Sequence, residues 1–227
     1  MTYRPTYTET VLGCFLHDVG KALQRAEGRI RNLPPEVLNQ ETEILPQWDG
    51  RSSHKHALFT EAFFHWMESE GLQFPGEIRR MAVRHVAVYH HKPEAAMGLV
   101  GGAATIVAEA DRLASGLDRK PKDEEQERGA WDSFIRTAMI NPFSLVKLRD
   151  RTVPPPSQLP LVELRPGAGV LPVKKVDTGN YQAKYGKVAE GWKEGFRAAC
   201  KGANERVFSD ELLSLSERFF WAVRAPG

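Results

Sequence analysis

Leu16-His17-Asp18-Val19-Gly20-Lys21 sets an imidazole and a carboxylate side by side within a run of apolar residues. Around it the apolar residues Val11, Leu12, Phe15, Leu16, Val19 and Leu23 recur at spacings of three and four, which predicts one amphipathic helix with Thr8 or Thr10 as its cap. An imidazole and a carboxylate side by side near a helix end can be aimed at the same cation. The second carboxylate oxygen is then free to bridge to another ion. Gly20 removes a side chain beside the pair, and Lys21 offers a cation that could hold a phosphate.

Outward from this stretch the pattern stays helical. Residues 29 to 52 read as a loop-rich insertion broken by Pro34, Pro35, Pro46 and Gly50, with room for a short helix between Pro35 and Glu43. A second helix is expected from Ser52 or Ser53, carrying Leu58, Phe59, Ala62, Phe63 and Trp66 inward. A third spans about 76 to 91, which Pro93 should end by conflict with the preceding turn. Another, about 101 to 117, contains Ile106, Val107, Ala110 and Leu113. The run Arg119 to Arg128 is almost wholly charged and reads as an exposed linker. Residues 139 to 178 hold seven prolines and strand-like pieces at Leu159 to Leu164 and Val170 to Val173, as a connector would. Two closing helices, 182 to 202 and 209 to 223, carry Val188, Trp192 and Phe196 on one and Leu212, Leu215 and Phe219 on the other. The expected fold is mainly α: a helical bundle over 1–118, a charged and Pro-rich connector over 119–180, and a C-terminal helix pair over 181–227.

The composition narrows the function. With 227 residues, 41% of them hydrophobic, the chain can bury a core, and no apolar run approaches the roughly 20 residues of a membrane span. MTYRPTYTET lacks the blocks of a signal peptide, so a cytoplasmic location is expected. Cys14 and Cys200 stand alone, without the spacing of a disulfide framework or a thiolate zinc site. The net charge of +2 says little about partners, but Arg79, Arg80, Arg84 and Lys92 share one short stretch with three histidines. That local field would suit an anion, although a solvated helix face is the stronger reading of the same residues.

Five of the seven histidines join two aspartates in an ordered series: His17-Asp18, His54 and His56, His90-His91, and Asp111. His56 leads into an apolar helix face, where an imidazole needs a hydrogen bond or a metal. His54 is the weaker ligand candidate. His90-His91 sits at a helix end, where the side chains can diverge toward two ions or form a pair on the helix dipole. Asp111 lies in an apolar stretch and needs a cation or several donors, with Arg112 or Arg119 as the plain alternative. His65 and His85 read as core or boundary histidines.

The motifs FLHDVGKALQR (Phe15 to Arg25), HALFTEAFF (His56 to Phe64), HHKP (His90 to Pro93) and ADRLASG (Ala110 to Gly116) resemble the HD superfamily of metal-dependent phosphohydrolases. More closely, the chain is similar to the HD nuclease domain that opens the large, polymerase-like subunit of type III CRISPR effector complexes. The likeness covers about half the chain. It implies an all-helical HD nuclease bundle that cuts single-stranded DNA with a divalent transition metal once the RNA-guided complex has bound its target. Ordinary HD enzymes carry a histidine on a helix before the His-Asp pair. Residues 1 to 16 contain none, which favours the CRISPR subunit over a generic phosphatase. The Gly-Gly-Asp-Asp motif of that subunit's polymerase-like domain does not occur, so synthesis of cyclic oligoadenylates is not expected.

In this reading His17, Asp18, His56, His90, His91 and Asp111 hold one or two ions, with Asp18 as the bridge and His54 as a lesser candidate. His17, Asp18 and Lys21 are the catalytic set. Arg79, Arg80, Arg84 and Lys92 would track the strand. Imidazole-rich sites suit manganese, nickel or cobalt better than magnesium. The closing helices concentrate Leu212, Leu213, Leu215, Phe219, Phe220 and Trp221, which predicts an interface toward a polymerase-like domain absent from the chain, and through it toward the guide RNA and other effector subunits. A stand-alone HD nucleotide phosphohydrolase and an inactive scaffold are the alternatives.

Overall fold

A computed structural model describes residues 4–96, 100–118, 136–146, 155–202 and 204–223, with no side-chain description for 115–118. The predicted first helix is two. Helix α1 (Tyr7–Leu16) starts at Thr6, whose side chain accepts from the Glu9 amide while the Glu9 carboxylate accepts from the Thr6 amide. Helix α2 (Val19–Glu27) follows after a break at His17 and Asp18. The cap thus falls at Thr6, not at Thr8 or Thr10, and the break falls within an unbroken apolar period. Two turn residues leave Leu16, Val19 and Leu23 all facing the core.

The insertion forms two short helices, α3 (Pro35–Leu38) and α4 (Glu41–Ile44), and a hairpin of β1 (Gln47–Trp48) with β2 (Arg51–Ser52). Asp49 and Gly50 connect the strands with φ of 50° and 70°, the doubly positive turn that Asp-Gly favours in two-residue hairpins. Helix α5 (His56–Ser69) begins at His56 itself, later than expected, and α6 (Arg80–Val88) is shorter than expected at both ends. Pro93 does not end α6; it opens a single 3-10 turn, Pro93–Ala95, beyond it. Helix α7 (Val100–Asp118) matches its predicted span. The charged run Arg119 to Arg128 lies outside the described residues. In the connector the strand-like pieces reduce to isolated bridges, Ile140 to Gln158 and Gln158 to Val173.

The closing pair is α8 (Tyr181–Ala199) and α9 (Glu205–Phe220), the latter capped by the Asn204 side chain on two amides. Most of the apolar side chains of this pair pack against the rest of the chain. Helix α8 packs on α2, and its Trp192 and Phe196 stack at 5.2 Å and meet Phe63 of α5 at 5.4 and 5.1 Å. Phe208 of α9 closes on Phe196 and Phe74. Leu212, Leu215 and Phe219 are buried, Phe220 and Trp221 pack against the same core, and Trp221 donates to the Val162 carbonyl at 2.7 Å. Leu213 alone of that group is exposed. The apolar faces of α8 and α9 complete one core with α1 to α6, because aromatic pairs at these separations add about 0.5–1.5 kcal/mol each beyond area burial.

Two glycines set the distances that matter downstream. A Cβ at Gly20 would stand 2.6 Å from the Thr60 amide and hydroxyl, and one at Gly13 would stand 2.5 Å from Val86. Their absence lets α2 lie directly on α5 and α1 on α6.

Candidate metal centre

His17 and Asp18 occupy the break between α1 and α2, where His17 caps α1 in helical conformation and Asp18 departs from it. The His17 Nδ1 bonds back to the Cys14 carbonyl, three residues earlier, which turns Nε2 away from the helix. His90 repeats the device after α6: its Nδ1 meets the Ala87 carbonyl at 2.6 Å and its Nε2 points inward. An imidazole whose Nδ1–H donates to a carbonyl presents a lone pair at Nε2, the arrangement usual for a metal-binding histidine.

The rest of the helical block brings the other candidates to the same place. Asp18 lies between two histidines, with one oxygen 3.3 Å from His17 Nε2 and the other 3.5 Å from His56 Nε2. Asp111, on the inner side of α7, lies 3.7 Å from His17 Nε2. His56 and His91 face each other through Nε2 atoms 2.9 Å apart, and His54 stacks its ring on His91 at 4.0 Å between centroids. Two groups of donor atoms, His56/His90/His91 and His17/His90/Asp111, each fall within 4.8 Å and could hold a metal ion. His90 belongs to both.

Three of these ligand atoms, His17 Nε2, Asp18 Oδ1 and His90 Nε2, are buried without a partner in hydrogen-bond geometry. An isolated orphan of this kind costs about 1–3 kcal/mol, so three at one point ask for a shared occupant. The donor set fits a divalent cation: buried nitrogens and carboxylate oxygens with spare lone pairs.

The protonation states agree with that fit. Burial pushes His90 down to about 4, with the His17 charge adding to it, and burial first and neighbouring imidazoles second hold His56 and His91 well below the ordinary histidine range. These three are neutral at pH 7, as ligands must be. His17 is the exception. Burial opposes its charge, but the carboxylates of Asp111 and Asp18 outweigh burial and push it up to about 10. Burial likewise opposes ionisation of Asp18, yet His17 and Lys21 hold it far below the usual carboxylate range. Asp111 is lowered by the neighbouring His17 imidazole. In the absence of metal, a proton on His17 therefore stands in for part of a cation's charge.

Lys21 sits at the site, its Nζ 2.5 Å from Asp18 Oδ2. Arg112, the plain alternative partner for Asp111, instead meets Glu109 at 2.5 Å, and Arg119 lies outside the described residues. Each basic residue of the stretch has a partner within the fold. Arg79 forks onto Glu9 at 2.7 and 2.8 Å, and Arg84 forks onto Glu61 and reaches Gln40. Arg80 holds Glu68 and the Leu72 carbonyl, and Lys92 holds the Thr42 carbonyl. The reason is that Glu9 and Glu61 are buried, and a buried carboxylate requires a fixed counter-ion. His65 and His85 stay outside the cluster, His85 lying edge-on to Tyr89.

One contributor was missed from sequence. Thr60 donates to the His17 carbonyl at 2.9 Å and accepts from the Gly20 amide at 3.2 Å, which ties the His-Asp turn to the first turn of α5 that carries His56. A buried threonine one turn into α5 carries no local signal of that role. The two carbonyls that orient His17 and His90 were legible in principle, since each lies three residues before its histidine at a helix end. Comparison with protein-family models, with curated proteins and with solved structures finds no match to this chain.

Proposed function

We propose that the chain is a metal-dependent phosphodiesterase that cuts single-stranded DNA, acting as the HD nuclease part of a type III CRISPR effector complex in antiviral defence. The observation that carries the catalytic part is the meeting of three orphaned buried ligand atoms, from His17, Asp18 and His90, with two donor groups that share His90. Support for the DNA substrate and for the RNA-guided assembly comes from the four motifs and their order along the chain.

His17, Asp18, His56, His90, His91 and Asp111 would hold one or two divalent ions, manganese, nickel or cobalt before magnesium. When bound, such ions supply an acidified water and charge stabilisation on the phosphate oxygens, and no protein nucleophile is needed. Asp18 turns one oxygen toward a residue of each donor group, the placement a bridging carboxylate needs. The Lys21 ammonium, beside Asp18, neutralises a non-bridging phosphate oxygen. The Cys14 and Ala87 carbonyls keep the His17 and His90 rings oriented.

The test is a cleavage assay on chelator-treated protein, given Mn²⁺, Co²⁺, Ni²⁺ or Mg²⁺ in turn with single- and double-stranded DNA, RNA and free nucleotides. Single-stranded DNA should be cut with manganese, nickel or cobalt, and His17→Ala or Asp18→Ala should abolish both cleavage and metal content. Full activity in a folded Asp18→Ala protein, or a clear magnesium preference, would defeat the assignment. A preference for free nucleotides would shift it to a nucleotide phosphohydrolase.

A further inference from the structure

Asp18 and Lys21 also line a second space. Here α1, α2, α8 and α9 line a half-open hollow of about 210 Å³ whose walls include Phe15, Trp192, Ser216 and Phe220. Trp192 and Phe220 stack at 5.2 Å with planes 24° apart, Trp192 being almost fully buried, while Phe15 on the other wall is 39% exposed. Below the roughly 300–1,000 Å³ typical of drug-sized sites, a cavity of 210 Å³ suits one ring system and little more. Besides Asp18 and Lys21, its lining has one further polar side chain, Ser216. The Ser216 hydroxyl accepts from Trp192 Nε1 at 3.2 Å and keeps its own proton to donate.

We infer that this cavity is a nucleobase subsite, seating the base of the nucleotide whose phosphate lies at Lys21 and Asp18. The assignment deepens the phosphodiesterase reading and rests on it for the identity of the anion. Its occupant follows from the chemistry of the walls. Trp192 is covered by Phe196 and Phe220, so the rings left to meet a base are those of Phe15 and Phe220, and stacking on them is sequence-tolerant. The charged groups beside them are the Lys21 ammonium and the Asp18 carboxylate it pairs with, and a phosphate would engage the pair through Lys21. The subsite also gives α8 and α9 a task. Trp192, Ser216 and Phe220 are the closing pair's contribution to a site whose ligands all come from the first half of the chain.

Binding tests the inference without relying on turnover. Tryptophan fluorescence of the manganese-loaded full chain is titrated with 2′-deoxycytidine 5′-monophosphate, 2′-deoxyadenosine 5′-monophosphate and deoxyribose 5-phosphate. The nucleotides should quench emission and bind at least tenfold tighter than the sugar phosphate, with the quench lost in Trp192→Phe. Phe15→Ala, at a half-exposed position that costs little packing, should remove about 5- to 150-fold of nucleotide affinity and leave sugar-phosphate binding unchanged. Ser216→Ala should weaken nucleotide binding several-fold in the same selective way. Equal binding of nucleotide and sugar phosphate, no binding of either, or a Phe15→Ala protein with parental nucleotide affinity would each overturn the subsite. Base-selective binding in a protein that cuts nothing would keep the subsite and refute the phosphodiesterase reading instead.

Discussion

Replacing Gly20 with alanine should loosen the metal centre without touching a ligand. The added methyl would stand 2.6 Å from the Thr60 amide nitrogen and hydroxyl, and it also meets the His56 carbonyl. Two of these are backbone atoms, so no side-chain rotation relieves the contact. Helix α2 must instead move off α5 by roughly 1 Å to restore van der Waals separation. Overpacking of this kind costs about 1–3 kcal/mol, and loss of the buried bond from the Gly20 amide to Thr60 adds about 1 kcal/mol. For a chain of this size a loss of about 3 kcal/mol lowers Tm by roughly 6–12 °C. The same displacement separates His17 and Asp18 on one side from His56 on the other, so affinity for Mn²⁺ should fall by about 10- to 100-fold, as for loss of a group that orients a ligand. Thermal unfolding and isothermal titration measure the two effects. A Gly20→Ala protein with parental Tm and parental Mn²⁺ affinity would refute the claim that this helix contact positions the site.

Three further outcomes are expected. His90→Ala should reduce Co²⁺ affinity by more than about 100-fold because His90 belongs to both donor groups, whereas His54→Ala should cost under tenfold; visible absorption of bound Co²⁺ reports both. Arg79→Ala should destabilise the fold by about 1–3 kcal/mol in urea unfolding, because it strips the forked guanidinium from a fully buried Glu9, and no measurable loss would show that the Thr6 cap and the residue-79 amide satisfy Glu9 by themselves. Metal uptake should depend on pH in a definite direction. With its pKa raised to about 10, His17 is protonated in the metal-free protein at pH 7, so binding expels about one proton and affinity rises with pH up to that pKa. Calorimetry in buffers of different ionisation enthalpy counts the proton, and uptake with no proton release at pH 7 would contradict the assignment of His17.

The spacing of apolar residues was enough to place most helices, because burial of one stripe is a local property that a sequence displays directly. It could not show that α1 and α2 are separate, since the two turn residues His17 and Asp18 leave Leu16, Val19 and Leu23 on the same buried side. The Asp49-Gly50 hairpin was legible from its turn residues and was masked by the prolines around it. Which histidines and aspartates could hold a metal was readable as a list of residue types. Their convergence was not, because it depends on α2 touching α5 through Gly20 and Thr60 and on α6 and α7 delivering His90, His91 and Asp111 to that contact. The basic stretch shows the opposite limit. Arg79 and Arg84 look like a free positive surface until the fold buries Glu9 and Glu61, 70 and 23 positions away in the chain, and each arginine is drawn to its carboxylate. The fate of the C-terminal aromatics was likewise settled only in three dimensions, since how much apolar surface a helix leaves uncovered depends on what it packs against, and Trp192, Phe196 and Phe208 found the aromatic face of α5 and Phe74.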